Sequence, residues 1–158
     1  MTRVVALATL LTVLASPAFA DATVFIGGTM TPSTRTAKGF AVGMGLLIVG
    51  FEFEWSNTSD EPSDGAPRLR TGMGNVLLQT PVAIHGLQPY FTIGGGGYQE
   101  KFEDARSETN FGVNTGGGVK ISLIGPLRAR ADYRVFTLKG SPVYDVVHRI
   151  YIGANLNF

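Results

Sequence analysis

Glu52 and Glu54 stand two residues apart, and so do Arg128, Arg130, Asp132 and Arg134 in succession. On an extended chain that spacing places every member of a row on one face. An acidic row and a mostly basic row are suited to ion pairing. Lys120 and Arg149 hold a matching parity within alternating segments of their own. Few other residues could do chemistry. Ser141, Asp145 and His148 supply the types of a nucleophile, an acid and a base. They span a loop containing Pro142, so they read as an accidental polar loop and not as a hydrolytic triad. His85, the other histidine, falls in an expected turn. Gly94–Gly97 and Gly116–Gly118 lack the following Lys-Ser/Thr and the helix that a phosphate cradle needs. Cysteine is absent, no metal-ligand spacing occurs, and no cofactor or catalytic residue is expected.

Strands must position the charged rows. From Leu127 to Val135 one parity reads Leu, Ala, Ala, Tyr, Val, while the other carries the arginines and Asp132. From Arg149 to the end, Ile150, Ile152, Ala154, Leu156 and Phe158 alternate with Arg149, Tyr151, Gly153, Asn155 and Asn157. Phe51, Phe53 and Trp55 alternate with the two glutamates. Period two is the mark of a strand with two unlike faces. Segments of this kind are expected at roughly 22–30, 38–48, 50–56, 68–80, 87–98, 109–121, 125–138 and 148–158. Polar links near 31–37, 56–67, 99–108 and 139–147 alternate with shorter or more apolar turns at Val49-Gly50, Pro81–Gly86 and Ile124-Gly125-Pro126.

Composition agrees with an envelope protein. Charged residues make up 16% of the 158, against about a quarter in soluble domains. Arg3, the apolar run Val4–Leu14 and the small-residue site Ala18-Phe19-Ala20 read as a signal peptide over residues 1–20, cleaved before Asp21. Losing Arg3 takes 13 basic residues to 12, equal to the 12 acids. A neutral chain without a basic cluster argues against a nucleic-acid partner. No later segment is apolar for long enough to form a spanning helix. Ala41–Phe51 comes nearest, and Gly43, Gly45 and Gly50 break it.

These features predict an all-β fold over 21–158, an eight-stranded antiparallel up-and-down transmembrane β-barrel. An even strand number, with long links at one rim and short ones at the other, fits a bacterial outer-membrane barrel. Most segments reach the about 9–11 residues a tilted strand needs to span. In a bilayer the sheet must close so that every backbone group is paired. A soluble lipocalin-like barrel is the alternative. It would put the apolar faces inside and leave Glu52, Glu54, Lys120 and Arg149 without a role.

Threading the strands with both termini in the periplasm puts Trp55 near the outer rim, in a lipid-facing girdle with Phe40 and Phe111. Phe51, Phe91 and Phe158 mark the inner rim. The lumen is expected to hold a network of Glu52, Glu54, Lys120, Arg128, Arg130, Asp132, Arg134 and Arg149 with positive charge in excess. Glu52 with Arg128 and Glu54 with Arg130 are the expected pairs, with separate hydration of these side chains as the alternative. Glycines are expected to leave room for the long arginines of a narrow barrel.

The C-terminal Tyr151-x-Gly153-x-x-Leu156-x-Phe158 resembles the signal read by the barrel assembly machinery. With the leader and the strands, the mature chain resembles the OmpA/OmpX-type small outer-membrane barrels along nearly its whole length. That resemblance implies outer-membrane lipid and the assembly machinery as partners, and an unidentified extracellular ligand at the loops. Its members include adhesion proteins, narrow ion channels and lipid A-modifying enzymes. Enzyme members similar to the lipid A deacylase carry His-x-Ser on a late strand, where this chain has Asp132 and Arg134. A structural or surface-interaction role is therefore expected first, with a small-ion pore and a lipid A hydrolase as alternatives. The peptidoglycan-binding domain of longer members is not seen after Phe158, so no periplasmic tether is expected.

Overall fold

In the computed structural model, which describes residues 19–101 and 107–158, the alternating segments are eight strands. They are β1 (Phe19–Thr29), β2 (Arg35–Leu46), β3 (Val49–Thr58), β4 (Arg68–Gln79), β5 (Leu87–Lys101), β6 (Glu108–Ile124), β7 (Leu127–Leu138) and β8 (Val146–Asn157). Each pairs antiparallel with its neighbour in chain order, and β8 returns to β1, so the barrel closes. Closure leaves no edge with unpaired backbone groups. No helix among the described residues is long and apolar enough to cross a membrane.

The expected segments lie within or close to these strands, with two corrections. The β2–β3 turn is Leu47–Ile48, not Val49-Gly50. Leu47 takes φ 54°, the left-handed conformation that a two-residue hairpin demands, and Gly50 is a ladder residue opposite Gly45. At the N-terminus β1 already includes Phe19 and Ala20, which pair with Gly45 and Met44. Residues 1–18 of the expected leader lie outside the described residues.

Faces sort as the parity requires. Phe51, Phe53, Trp55, Phe91, Ile93, Phe111, Ile150 and Ile152 are exposed on the outside of the barrel. Glu52, Glu54, Arg130, Asp132, Arg134 and Arg149 are buried inside it. Three layers fill the interior. The charged residues form the middle one. Toward the rim with the longer links, Leu69, Met73, Tyr98, Phe136, Leu138 and Val147 form an apolar cluster, with Tyr144 packed on it. Toward the rim with the chain ends lie Asp21, Gln88, Lys120, Arg128 and Asn157 around a cavity of about 260 Å³.

Candidate functional site

Arginine is a suitable residue for a narrow lumen because its planar fork can hold two or more carboxylate oxygens at once. Arg130 on β7 places both η-nitrogens on Glu52 of β3, Nη2 at 3.3 Å from Oε1 and Nη1 in close contact with Oε2. Its Nε donates to the Tyr90 hydroxyl at 2.7 Å, and that hydroxyl donates in turn to Asp132. Arg134 reaches Glu52 Oε1 at 2.8 Å and Asp132 Oδ1 at 3.0 Å, and lies 3.0 Å from Glu54 Oε2. That last contact is electrostatic, since Arg134 Nη1 has no partner in hydrogen-bonding geometry. Arg149 on β8 holds the other Glu54 oxygen and donates to Ser56 Oγ at 2.5 Å. Three arginines thus meet three carboxylates in a neutral cluster across the barrel.

Aromatic rings complete the enclosure. Tyr151 stacks on Phe25 with centroids 4.1 Å apart. The Arg149 guanidinium lies 4.5 Å from the Phe136 ring centroid, and Arg130 lies 4.9 Å from that of Tyr90. An arginine over an aromatic face gains from the ring quadrupole. Gly116 and Gly118 make this packing possible. A Cβ on Gly118 would stand 2.5 Å from the Tyr90 oxygen and 2.3 Å from the Ala131 carbonyl oxygen, and one on Gly116 would press on Arg134 Cγ at 3.0 Å. The room for the arginine is thus made by glycines of the adjacent strand.

The expected pairs are shifted. Glu52 binds Arg130 and Arg134, not Arg128, and Glu54 binds Arg134 and Arg149, not Arg130. Strand tilt and stagger move the facing residue along β7, and counting from the strand ends ignores them. Arg128 instead donates to Gln88 Oε1 at 3.0 Å and Asn157 Oδ1 at 2.7 Å. Lys120 is 2.5 Å from Asp21 Oδ2, a carboxylate that the sequence reading placed at a cleavage site and left out of the lumen. Tyr90 was also missed, though it shares the parity of Gln88 and Thr92. The apolar cluster was missed as well. Phe136 and Leu138 simply continue the parity of Arg130–Arg134 on β7, a signal that the polar reading of the lumen passed over.

Of the other candidates, His148 accepts or donates at Nδ1 to the Tyr133 hydroxyl at 2.7 Å, while Ser141 and Asp145 lie in the exposed link before β8. Among the described residues no group of three His, Cys, Asp or Glu side chains is placed to hold a metal. Within the C-terminal motif, Tyr151 faces the lumen and Leu156 and Phe158 face outward. A Cβ on Gly153 would lie 2.6 Å from the Val24 carbonyl oxygen, so this close β8–β1 approach needs glycine.

Loops are tied at the longer-link rim. Arg35 donates to the carbonyls of Thr31 at 2.8 Å, Ser59 at 3.2 Å and Pro67 at 2.6 Å. Tyr98 donates to the Lys139 carbonyl at 2.6 Å. The arrangement fills the barrel interior with side chains and leaves the links at its rim.

No family model matches the chain, and no curated protein matches it in sequence. Solved structures match the fold. The N-terminal β-barrel domain of Pseudomonas aeruginosa OprF superposes with TM-score 0.68 at 16% identity, over 89% of this chain and 97% of that one. Neisserial surface protein A follows with 0.66 at 12%, over 89% and 96%. The attachment invasion locus protein Ail of Yersinia pestis, solved with the heparin analogue sucrose octasulfate, gives 0.59 at 15%, over 90% and 99%.

Proposed function

We propose that this chain is an integral outer-membrane barrel with a closed lumen, a scaffold whose longer links present a surface to partners outside the cell. The carrying observation is the inside-out distribution of polarity. A ring of exposed phenylalanines, isoleucines and valines surrounds buried arginines and carboxylates. Each apolar side chain left in water forgoes about 1.5–3 kcal/mol of burial, and lipid recovers that term all around the barrel. Similarity in fold to outer-membrane proteins, one a surface protein and one an attachment protein by name, supports the same reading.

The reading includes export by residues 1–20 and cleavage before Asp21, and recognition of Tyr151, Gly153, Leu156 and Phe158 by the assembly machinery. The lumen network is assigned a structural role. A small-ion pore is the competing function, and the cavity at the chain-end rim favours it as far as Glu52. Beyond Glu52 the arginine cluster and the apolar layer stand in the way. Planar-bilayer recording of the refolded barrel separates the two. Stable single-channel steps would replace the closed scaffold by the pore. A chain that stays monomeric in water without detergent would reject the membrane reading altogether.

A further inference from the structure

Of the five cations in the charged and chain-end layers, four have a carboxylate oxygen within salt-bridge distance: Lys120 has Asp21, Arg130 and Arg134 have Glu52 and Asp132, and Arg149 has Glu54. Arg128 does not. Its two η-nitrogens rest on amide oxygens, at 3.0 Å from Gln88 and 2.7 Å from Asn157. The Gln88 amide is itself anchored: its Nε2 donates to the Thr80 carbonyl at 2.7 Å, which turns its oxygen toward Arg128, whereas Asn157 Nδ2 meets the carbonyl of Ala20, a residue that the proposed cleavage removes. An amide dipole orients a guanidinium without neutralising it. Arg128 is thus held in place with its full charge.

That charge lines the cavity of about 260 Å³ at the chain-end rim, together with Lys120. Lys120 is almost wholly buried, and one contact to Asp21 uses one of its three N–H donors. Glu52 forms part of the floor, but both of its oxygens are committed to Arg130 and Arg134. Asp21 is the remaining acid and is matched by Lys120. The cavity therefore carries one uncompensated positive charge, an oriented fork and spare ammonium donors, with Leu47, Pro81 and Val82 at its wall.

We infer that this cavity is a binding site for a small oxyanion, a carboxylate or phosphate group, held by Arg128 and Lys120 and entered from the rim that carries the chain ends. The fork matches two oxygens of such a group, and the neighbouring ammonium meets a third or bridges to Asp21. Only the side of entry, the periplasmic one, rests on the proposed membrane orientation. The chemistry of the site does not.

The test titrates the refolded full-length barrel with inorganic phosphate and, separately, with acetate, at ionic strength held constant with chloride. Amide and guanidinium chemical shifts of Arg128, Gln88 and Asn157 are the readout. Saturable shifts confined to this mouth are expected, with chloride alone producing none. Gln88→Glu places a carboxylate on Arg128 with little change of shape and should weaken binding at least tenfold, as should Arg128→Gln. Arg70→Gln, on the exposed outer face, should leave binding unchanged. Should Arg128→Gln fail to fold, Gln88→Glu alone decides. Non-saturable shifts, or wild-type affinity in Gln88→Glu, overturn the site. Saturation by acetate but not phosphate, or the reverse, identifies which group it takes. A barrel shown to conduct ions would alter the proposed function and leave this result standing.

Discussion

Glu52 ties β3 to β7 across the interior, since its two oxygens accept from two arginines on β7. Removing it leaves three buried guanidinium groups to share two carboxylates, Asp132 and Glu54. Loss of one partner of a buried pair costs about 3–5 kcal/mol, so Glu52→Ala is expected to destabilise the barrel by that order in urea unfolding from detergent. Glu61→Ala in the loop should cost well under about 1 kcal/mol. A double-mutant cycle on Glu52 and Arg130 should show strong coupling, whereas Glu52 with Arg128 should be additive. Coupling of equal size in both cycles would contradict the observed register. Glycine positions allow a second residue-level contrast. Gly118→Ala drives a Cβ into Tyr90 and the Ala131 carbonyl, while a Cβ on Gly72 meets only the Phe53 ring at 4.0 Å. Overpacking of this kind costs about 1–3 kcal/mol, so Gly118→Ala should lower the melting temperature and Gly72→Ala should leave it nearly unchanged.

At the scale of the element, β7 carries two different jobs on one face. Its first half supplies Arg130, Asp132 and Arg134 to the charged layer, and its second half supplies Phe136 and Leu138 to the apolar layer. Phe136 touches both, because its ring also receives the Arg149 guanidinium. Phe136→Ala opens the layer that seals the lumen on the longer-link side. It is expected to cost about 3–5 kcal/mol and to admit measurable ion leakage where the parent barrel shows none. A tight, non-leaking Phe136→Ala barrel would mean that the charged layer alone closes the lumen. Strand registers across β6, β7 and β8 set these contacts: Gly116 sits opposite Arg134, and Arg134 opposite Arg149.

For the whole molecule, the exposed aromatic residues make the membrane orientation measurable. Trp55 and Phe40 occupy paired positions on β3 and β2, and their rings stack with centroids 5.9 Å apart on the outer surface. Trp55 is the single tryptophan, so its fluorescence reports one site. Lipids brominated near the headgroup should quench it more than lipids brominated near the chain ends, because an interfacial ring lies shallow. Equal absence of quenching at every depth would reject lipid contact. Deleting Phe158, the exposed last residue of the C-terminal motif, should reduce assembled, heat-modifiable barrel while synthesis continues. A mature protein that does not begin at Asp21 would move the proposed cleavage site and leave the barrel unaffected.

The strand count, the up-and-down order and the sorting of faces follow from local pattern. Period-two alternation and the grouping of Gly, Pro and polar residues into links act within a few residues, and they are visible along Leu127–Leu138 and Val146–Asn157 without any fold. The presence of Glu52, Glu54 and the β7 arginines on one interior was legible for the same reason. Which carboxylate meets which arginine was not. That depends on tilt and stagger accumulated around a closed sheet, a quantity no single strand encodes, so Glu52 came to rest on Arg130 and Arg134 while Arg128 was left to two amides. The recruitment of Asp21 by Lys120, some 99 residues away in sequence, and the gathering of Leu69, Phe136 and Val147 into a seal arise only when closure brings distant strands to the same height.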